Sequence, residues 1–269
     1  MGIVVVKAGG ELLERPDGVV QAVRSGWEAG DAVVLVHGGG PQLDCAAAAA
    51  GLASTRVAGR RITTPEVLDL AVAVWRGTVS MGWVRELAAA GVPAVGLCGV
   101  DGGWLRARRR PPVTVVDDDG VTRQVDYGEV GDVVAVDPGL LQALCGRAVP
   151  VIAPLATDGW GGVLNVNADT VAAAVAGALR ATELRLLTSA PGLLRDPADP
   201  GSVVEALDLG GLDELEATGA VRSGMRPKVA AVRHALRSGV DQVWIGATLM
   251  RHGPGASGDA RPLPPAPAH

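Results

Sequence analysis

The sequence predicts an α/β protein with a mostly parallel open sheet, helices on both faces and a β-hairpin insert. Three observations lead to this fold class. Short runs of apolar, often β-branched residues recur along the chain, as expected of strands that are buried on both faces. Stretches with helical patterning alternate with these runs, which is typical of parallel sheets. Glycine-rich turns follow two of the apolar runs, where a strand would end and a helix would begin.

In the first part of the chain, apolar runs predict strands and Ala-rich or periodic stretches predict helices. Pro41 at a first helical position and Gly51 beyond the last one delimit the second helix. We expect strands at 4–7, 32–36 and 94–97, and helices at 19–29, 41–50, 65–75 and 79–90.

The middle of the chain predicts the insert. Residues 104–109, 113–117 and 121–125 read as strands, and Asp117-Asp118-Asp119-Gly120 reads as a turn. We expect this hairpin-rich region to lie over the edge of the main sheet.

The regular α/β pattern then returns and continues almost to the C-terminus. We expect helices at 138–145, 169–179 and 227–237, and strands at 149–153, 184–187 and 243–245, the last of the sheet. Residues 1–252 are therefore interpreted as a single domain. The tail at 253–269 is rich in Pro, Gly and Ala, and we expect it to be disordered.

Composition excludes several classes of protein. A hydrophobic content of 48% over 269 residues is ample for a buried core, and the net charge of −5 argues against a general nucleic-acid binder. No apolar run has the length of a membrane span, and no signal peptide is recognisable. The three cysteines, Cys45, Cys98 and Cys145, form neither a disulfide framework nor a zinc pattern, so we expect a cytoplasmic protein.

Two glycine turns are candidates for phosphate binding. They are Lys7-Ala8-Gly9-Gly10 and His37-Gly38-Gly39-Gly40, each after a buried strand. Glycine allows backbone N–H groups to approach an anion, and the helix after each turn adds its positive end. One such turn alone would more often be purely structural. Neither turn matches the P-loop or the Gly-x-Gly-x-x-Gly pattern, which weakens the ordinary NTPase reading and that of a nicotinamide-dependent oxidoreductase.

The chain contains only two lysines among 24 cationic residues, and both lie beside glycine turns. Lys7 ends the first strand, where ligands bind in open α/β sheets. Lys228 lies in a first helical turn, where its positive charge interacts unfavourably with the helix dipole. We therefore expect an anionic partner beside it. A solvated surface lysine is the ordinary alternative, but the shared placement favours a role for both lysines in stabilising a phosphoryl group.

Three further motifs are candidates. The chain's only two asparagines, Asn165 and Asn167, alternate before Asp169, which could also act as a helix cap. Arg60-Arg61 could clamp a carboxylate, although such a pair is often solvated surface. His37 is interpreted as a structural histidine. The basic residues 106 and 108–110 could dock an acidic partner, or simply form a solvated hairpin.

Taken in order, these motifs resemble the amino acid kinase superfamily, specifically its acetylglutamate kinase branch. The resemblance covers roughly the first 246 residues. It rests on seven motifs: Val-Lys-Ala-Gly-Gly at 6–10, Val-His-Gly-Gly-Gly-Pro-Gln at 36–42, Gly-Arg-Arg-Ile-Thr at 59–63, Gly-Val-Asp-Gly-Gly at 99–103, Asn-Val-Asn-Ala-Asp at 165–169, Pro-Gly-Leu-Leu at 191–194 and Ser-Gly-Met-Arg-Pro-Lys at 223–228.

The resemblance implies an ATP-dependent kinase acting on a side-chain carboxylate, with Mg²⁺ screening the phosphates and no protein metal ligand. The N-terminal half would bind the acid and the C-terminal half would bind ATP, in a homodimer. The implied catalytic residues are Lys7, Lys228 and Asp169, and the implied substrate-binding residues are Gly39, Gly40, Arg61 and Asn165. The implied ATP-binding residues are Gly9, Gly10, Thr188, Ser189, Gly192, Gly224 and Met225.

The motifs within the branch favour glutamate or 2-aminoadipate linked through its amino group to a small acidic carrier protein of the LysW type, in lysine or arginine biosynthesis. Residues 99–110 and Thr188–Asp196 look more like that variant, and the basic stretch gives a physical reason for it. The alternatives are acetylglutamate kinase of arginine biosynthesis and a catalytically weakened nucleotide or amino-acid sensor. Ser80, Ser189 and residues 255–263 depart from the usual family pattern.

Overall fold

The computed structural model describes residues 2–57, 59–116, 122–221 and 224–252. The predicted turn at 117–120, the predicted tail at 253–269 and Ser223 lie outside the described residues. The strands are β1 Ile3–Ala8, β2 Ala32–His37, β3 Arg56–Val57, β4 Arg60–Arg61, β5 Ala94–Cys98, β6 Leu105–Arg109, β7 Val113–Val116, β8 Thr122–Val125, β9 Gly131–Val136, β10 Val149–Ala153, β11 Leu155–Thr157, β12 Val163–Asn165, β13 Glu183–Leu187, β14 Ala206–Leu207, β15 Gln242–Ile245 and β16 Thr248–Arg251. The α-helices are α1 Asp17–Glu28, α2 Gly40–Ala49, α3 Pro65–Ala71, α4 Ser80–Ala89, α5 Gly139–Leu144, α6 Ala168–Ala178, α7 Leu209–Ala217 and α8 Arg226–Arg237. Short 3₁₀ turns occupy Gly10–Glu14 and Asp101–Gly103, and a π-helix occupies Val72–Val79.

The main sheet has eight strands in the order β14-β16-β15-β13-β1-β2-β10-β5. Its pairs are parallel apart from β15 with β16. The prediction of a mostly parallel open sheet is thus confirmed. β1 lies at the centre, between β13 from the C-terminal half and β2 from the N-terminal half. The carboxyl ends of these three strands meet at one edge, where ligands bind in such sheets.

Two hydrophobic cores lie on the two faces of this sheet. Val5 on β1 belongs to the core that includes residues of α6 and α8, whereas its neighbours Val4 and Val6 belong to the core that includes residues of α1, α3 and α4. Successive strand residues point to opposite faces, which explains the division. Since both faces are covered by helices, the apolar, β-branched run of β1 needs no polar alternation.

The insert is built differently from the prediction. β7 and β8 form the expected antiparallel hairpin, with Val113 opposite Val125. β6, however, takes no part in this hairpin and instead pairs with β9 and β11 in a second sheet ordered β12-β11-β6-β9. The sequence did not predict β9, β11 and β12: β11 and β12 have only three residues each, and β9 lacks regular polar alternation.

The predicted pair of helices at 65–75 and 79–90 is one continuous helical segment, Pro65–Ala89, whose middle is π-helical. This segment is long and apolar enough to cross a membrane by length and composition alone. Its fully buried residues Val79, Trp83 and Leu87 belong to the core of the sheet, which accounts for its apolar character.

The strand predicted at 243–245 is present as β15, but it is not the last strand of the sheet. It is followed by β16, which turns back and pairs antiparallel with it, and the helix α7 was not predicted. Gly246 makes this tight reversal possible. It adopts φ 54°, and a Cβ atom there would lie 2.5 Å from the carbonyl oxygen of Pro191.

Candidate active site

The two predicted glycine turns touch each other at the carboxyl ends of β1 and β2. The backbone N–H of Gly38 donates to the carbonyl of Ala8 at 2.8 Å, and the side chain of Gln42 donates to the carbonyl of Gly10 at 2.8 Å. A Cβ atom on Gly10 would lie 2.8 Å from the Cα of Gly39. Glycine is therefore required sterically, and two turns that are distant in sequence form one surface.

Asp169 lies between the two lysines of the chain. Lys7 Nζ is 2.9 Å from Oδ1 of Asp169, and Lys228 Nζ is 3.7 Å from Oδ2. Lys7 and Asp169 are only 6% and 5% exposed, so these charges interact in a desolvated setting. The structure thus brings together all three residues predicted as catalytic, from the end of β1 and from the first turns of α6 and α8.

The N-terminus of α6 is capped by Asn167 and not by Asp169. Asn167 Oδ1 accepts a hydrogen bond from the backbone N–H of Thr170, whereas Asp169 lies inside the first turn. The alternative of Asp169 as a helix cap is therefore wrong. The carboxylate of Asp169 is left to hold the lysines, and the positive end of α6 points to the same place.

A cleft of about 150 Å³ opens beside this cluster. This volume is below the roughly 300 Å³ at which drug-sized ligands begin to fit, so it suits a small substrate better than a nucleotide. Predicted substrate residues Gly39, Gly40, Arg61 and Asn165 all line it. The remaining lining residues are Gly38, Arg56, Gly59, Arg60, Trp75, Val130, Pro154, Val166, Asn167 and Ala168.

Arg61 is held rigidly on one wall of the cleft. Its Nη1 contacts Oδ1 of Asp44 at 2.5 Å, and its Nη2 donates to the carbonyl of Gly40 at 3.2 Å. Partial burial alone would raise the pKa of Asp44, but hydrogen bonds from Arg61, Ser54 and Arg56 outweigh it and hold the pKa well below its usual range. Asp44 is thus a carboxylate that orients a guanidinium group.

Asn165 and Trp75 complete the walls. Asn165 donates from Nδ2 to the Thr63 hydroxyl at 2.9 Å, which fixes its amide. Trp75 donates from its indole Nε1 to the carbonyl of Gly39 at 2.8 Å, and a Cβ atom on Gly39 would lie 2.4 Å from the ring. Trp75 belongs to the π-helical segment, a feature that often occurs at functional sites.

His37 is a buried structural histidine, as predicted. Its Nδ1 lies 2.7 Å from the carbonyl oxygen of Gly38, so Nδ1 must carry the proton, and Nε2 accepts from the Ser80 hydroxyl at 3.0 Å. Burial lowers the pKa of His37 to about 4, against the opposing hydrogen bond to Gly38. Ser80, one of the departures from the family pattern, thus has a defined partner.

Of the predicted ATP-binding residues, Gly9 and Gly10 follow β1, and the others lie between β13 and α8. Thr188 follows the strand that pairs with β1, so it lies beside the turn of Gly9 and Gly10. Ser189 and Gly224 are exposed, and Met225 precedes the first turn of α8. Gly192 is different, because a Cβ atom there would lie 2.7 Å from the Thr248 hydroxyl. The absence of a side chain at Gly192 therefore allows the backbone to pack closely against β16.

Sequence reasoning missed the contributions of Asp44 and Trp75. Asp44 lies four residues after Gly40 on α2, so helical spacing could have placed it near the glycine turn. Nothing in the sequence distinguishes Trp75 from an ordinary core residue of an apolar helix. The basic stretch was predicted but is partly neutralised, since Arg109 pairs with Asp126 and Glu129, and Arg110 pairs with Asp132.

Comparison with known proteins agrees with this geometry. A sequence profile of the amino acid kinase family matches residues 2–247. The chain belongs to the amino acid kinase family. It is 46% identical over 247 residues to the acetylglutamate kinase of Myxococcus xanthus, covering 90% of this chain and 80% of that one. It is 42% identical to the acetylglutamate kinase of Methanopyrus kandleri, covering 90% and 93%.

Solved structures of similar fold include the smu.665 protein of Streptococcus mutans, with a TM-score of 0.80, 28% identity, and coverage of 93% of this chain and 99% of that one. Carbamate kinase of Giardia lamblia bound to AMP-PNP has a TM-score of 0.64 at 15% identity, covering 94% and 99%. The second likeness concerns the fold alone. As a member of this family the chain is a phosphotransferase.

Proposed function

We propose that this protein transfers the γ-phosphoryl group of ATP to the side-chain carboxylate of N-acetylglutamate, giving an acyl phosphate. The single observation that carries the proposal is the Lys7–Asp169–Lys228 cluster beside a small cleft that contains a fixed arginine. Acetylglutamate kinases are among its relatives at more than 40% identity, and their name supports this choice of substrate.

The physical chemistry of the reaction fits these residues. A carboxylate is already a nucleophile at neutral pH, so no general base is needed, and catalysis reduces to in-line positioning and charge stabilisation. Lys7 and Lys228 would stabilise the charge that spreads over the phosphoryl oxygens. Asp169 would keep the two ammonium groups together, because two buried like charges otherwise repel.

The two halves of the site would hold the two substrates. Arg61 and Asn165 would bind the α-carboxylate and the amide of the acid, while backbone N–H groups near Gly9, Gly10, Gly39 and Gly40 would face the phosphates. We infer that Thr188, Ser189, Gly224 and Met225 line the nucleotide site. The described residues contain no cluster of three side chains able to hold a metal, so Mg²⁺ would be held by phosphate oxygens.

A carrier-linked glutamate or 2-aminoadipate is the second candidate substrate. The observation that favours it is the cationic wall formed by Arg56, Arg60 and Arg61. Arg60 in this wall interacts electrostatically with Arg110, which directly follows β6. Arg109 and Arg110 are partly neutralised by carboxylates. The basic stretch therefore supports a carrier-linked substrate less strongly than the sequence alone indicated. Lysine or arginine biosynthesis would accompany this candidate, and arginine biosynthesis the first.

A hydroxamate assay tests the function directly. The purified chain is incubated with ATP, Mg²⁺ and hydroxylamine, and with N-acetylglutamate, carrier-linked glutamate, carrier-linked 2-aminoadipate or free glutamate. We expect hydroxamate to form with N-acetylglutamate and not with free glutamate. If a carrier-linked acid is phosphorylated faster than N-acetylglutamate, the second candidate substrate is correct and the first is not. If ligands raise the melting temperature but no acid is phosphorylated, the protein is a sensor.

We also infer a cytoplasmic homodimer. All three cysteines are free in the structure, although Cys45 is exposed, as suits a reducing compartment. Light scattering of the purified chain would determine the number of subunits.

A further inference from the structure

Two polar side chains of the helical segment Pro65–Ala89 reach the same glycine turn. Trp75 donates from its indole Nε1 to the carbonyl of Gly39 at 2.8 Å. Ser80 donates from its hydroxyl to Nε2 of His37, the first residue of that turn, at 3.0 Å. One helical segment therefore holds the turn at two points.

The π-helical stretch Val72–Val79 explains how both side chains face the turn. On an α-helix each residue advances by about 100°, so Trp75 and Ser80, which are about 500° apart in that geometry, would point roughly 140° away from each other. A π-helix closes its hydrogen bonds from residue i to i+5 and takes up an extra residue in the turn. This extra residue brings the two side chains toward one side of the segment, where both contacts are made.

The ring of Trp75 also packs directly against the backbone of Gly39. A Cβ atom on Gly39 would lie 2.4 Å from Cδ1 of the ring, and a Cβ atom on Gly10 would lie 2.8 Å from the Cα of Gly39. The indole ring, the turn of Gly39 and the turn of Gly10 are thus in close contact with no side chain between them. A change at Trp75 is therefore expected to alter the position of Gly39 relative to Gly10.

The hydrogen bond from Trp75 orients the peptide group between Gly39 and Gly40. In a planar trans peptide the C=O and N–H groups point in opposite directions, so fixing the carbonyl of Gly39 also fixes the N–H of Gly40. This N–H is the first of α2 and has no partner within the helix. The same carbonyl also accepts from the backbone N–H of Leu43 at 3.0 Å. Because hydrogen bonds polarise one another, two donors on the carbonyl strengthen the N–H of Gly40 as a donor.

We propose that Trp75 is a positioning residue for phosphoryl transfer, which holds the Gly39–Gly40 peptide so that the N–H of Gly40 faces the transferring phosphoryl group. This inference rests on the proposed function for the reaction that it serves. The indole N–H is already bonded to Gly39, so Trp75 acts through the backbone and not on the phosphoryl group itself. Its effect is greatest when charge develops on the phosphoryl oxygens, and Trp75 therefore acts on kcat more than on binding of the acid.

Trp75→Phe tests this role because it removes the indole N–H and keeps an aromatic ring. The carbonyl of Gly39 retains the N–H of Leu43, so the exchange leaves no acceptor unsatisfied. ADP release is measured with N-acetylglutamate, or with a carrier-linked acid if the parent protein prefers it. We expect kcat to fall about 10- to 100-fold, as for a small displacement of a reacting group, while KM for the acid changes less than about threefold.

Trp83→Phe is the matched control on the same helical segment. Trp83 is fully buried, but its indole Nε1 has no hydrogen-bond partner within the part of the chain that the structure describes. The exchange removes the same atoms without releasing a backbone carbonyl, so kcat should stay within about twofold of the parent value. Thermal unfolding scans show whether both variants are folded.

A binding measurement separates positioning from a general loss of structure. Calorimetric titration with MgADP and aluminium fluoride, in the presence of the acid, reports the affinity for an analogue of the transferring phosphoryl group. This affinity should fall in Trp75→Phe by about the same factor as kcat, whereas the affinity for the acid alone should be nearly unchanged.

Equal losses of kcat in Trp75→Phe and Trp83→Phe would show that indole volume and not the hydrogen bond matters, and the inference would be wrong. A rise in KM with unchanged kcat would make Trp75 a wall of the acid cleft and would also overturn it. An active parent with an unaffected Trp75→Phe variant refutes the positioning role alone. A parent that phosphorylates no acid refutes the proposed function, and the positioning role with it.

Discussion

Lys7 Nζ lies 2.9 Å from Oδ1 of Asp169, and both side chains are almost completely buried. Lys7 is the last but one residue of the central strand β1, whereas Asp169 is the second residue of α6, which packs across that strand. The contact therefore fixes the ammonium group at the carboxyl edge of the sheet, where the two glycine turns meet.

Replacing Lys228 by Arg should abolish most phosphoryl transfer while the fold survives. Arginine keeps the charge, but its planar fork cannot place one compact charge between Asp169 and a phosphoryl group. We expect kcat to fall by about 100-fold, as measured by ADP release with N-acetylglutamate. Arg24→Lys, an exchange on the exposed face of α1, is the control and should leave kcat unchanged. A Lys228→Arg variant with near-normal kcat would contradict the proposed mechanism.

Asp169→Asn should lower both activity and stability. The substitution is nearly isosteric, but it leaves two ammonium groups without the carboxylate that neutralises them. The free energy of unfolding should fall by about 3 kcal/mol, as for the loss of one partner from a buried ion pair. Urea denaturation monitored by tryptophan fluorescence measures this change. Asp158→Asn, in the exposed turn between β11 and β12, controls for the loss of one negative charge. Equal stability of Asp169→Asn and the parent would show that the ion pairs contribute nothing.

Asp44→Asn should act mainly on substrate binding. Without the carboxylate, Arg61 loses the partner that orients it toward the cleft, so we expect KM for the acid to rise roughly tenfold with kcat little changed. Initial-rate kinetics give both constants. The folded state holds the pKa of Asp44 below its unfolded value, so its contribution to stability is present at neutral pH. That contribution is lost as the pH falls through the folded pKa. A fall in kcat with unchanged KM would place Asp44 in a different role.

His37→Gln should reduce the acid sensitivity of the protein. The unfolded chain binds a proton at His37 near pH 6.5, while the folded chain keeps the buried ring neutral down to about pH 4. The unfolded state therefore binds more protons between these values, and the free energy of unfolding falls by roughly 3 kcal/mol as the pH drops through that window. Urea titrations at pH 7.5 and pH 4.5 should show a smaller loss in the variant. His234, whose pKa is also lowered by burial, stays in both proteins. Identical losses in parent and variant would exclude His37 as the cause.

The fold was predictable wherever burial dictates the sequence. Residues 149–153 were predicted with correct bounds, because a parallel strand covered on both faces must be a continuous apolar run. Short strands such as Thr248–Arg251 have no such constraint, and their pairing depends on the turn at Gly246. The break predicted near Gly77 was wrong because packing against the sheet keeps Pro65–Ala89 helical through a π-helical segment.

The sequence predicted which residues belong to the site, but it did not predict which side chains they pair with. The two lysines and Asp169 could be selected from the sequence because each falls in a motif with a physical reason. Whether an arginine has a partner depends on the folded arrangement: Arg61 has Asp44, while its neighbour Arg60 has none in the described structure. Adjacent residues of the same type thus acquire opposite environments, and sequence alone cannot separate them.

The position of Lys228 on α8, near the end of the described chain, has a consequence for synthesis. A nascent chain that has left the ribosome only as far as β13 already contains Lys7, Asp169 and the acid cleft, but it has neither the second ammonium group nor the strands β15 and β16. On the proposed mechanism, phosphoryl transfer therefore requires α8 to have been translated and packed against α6. A nascent chain that ends before α8 would not release an unstable acyl phosphate.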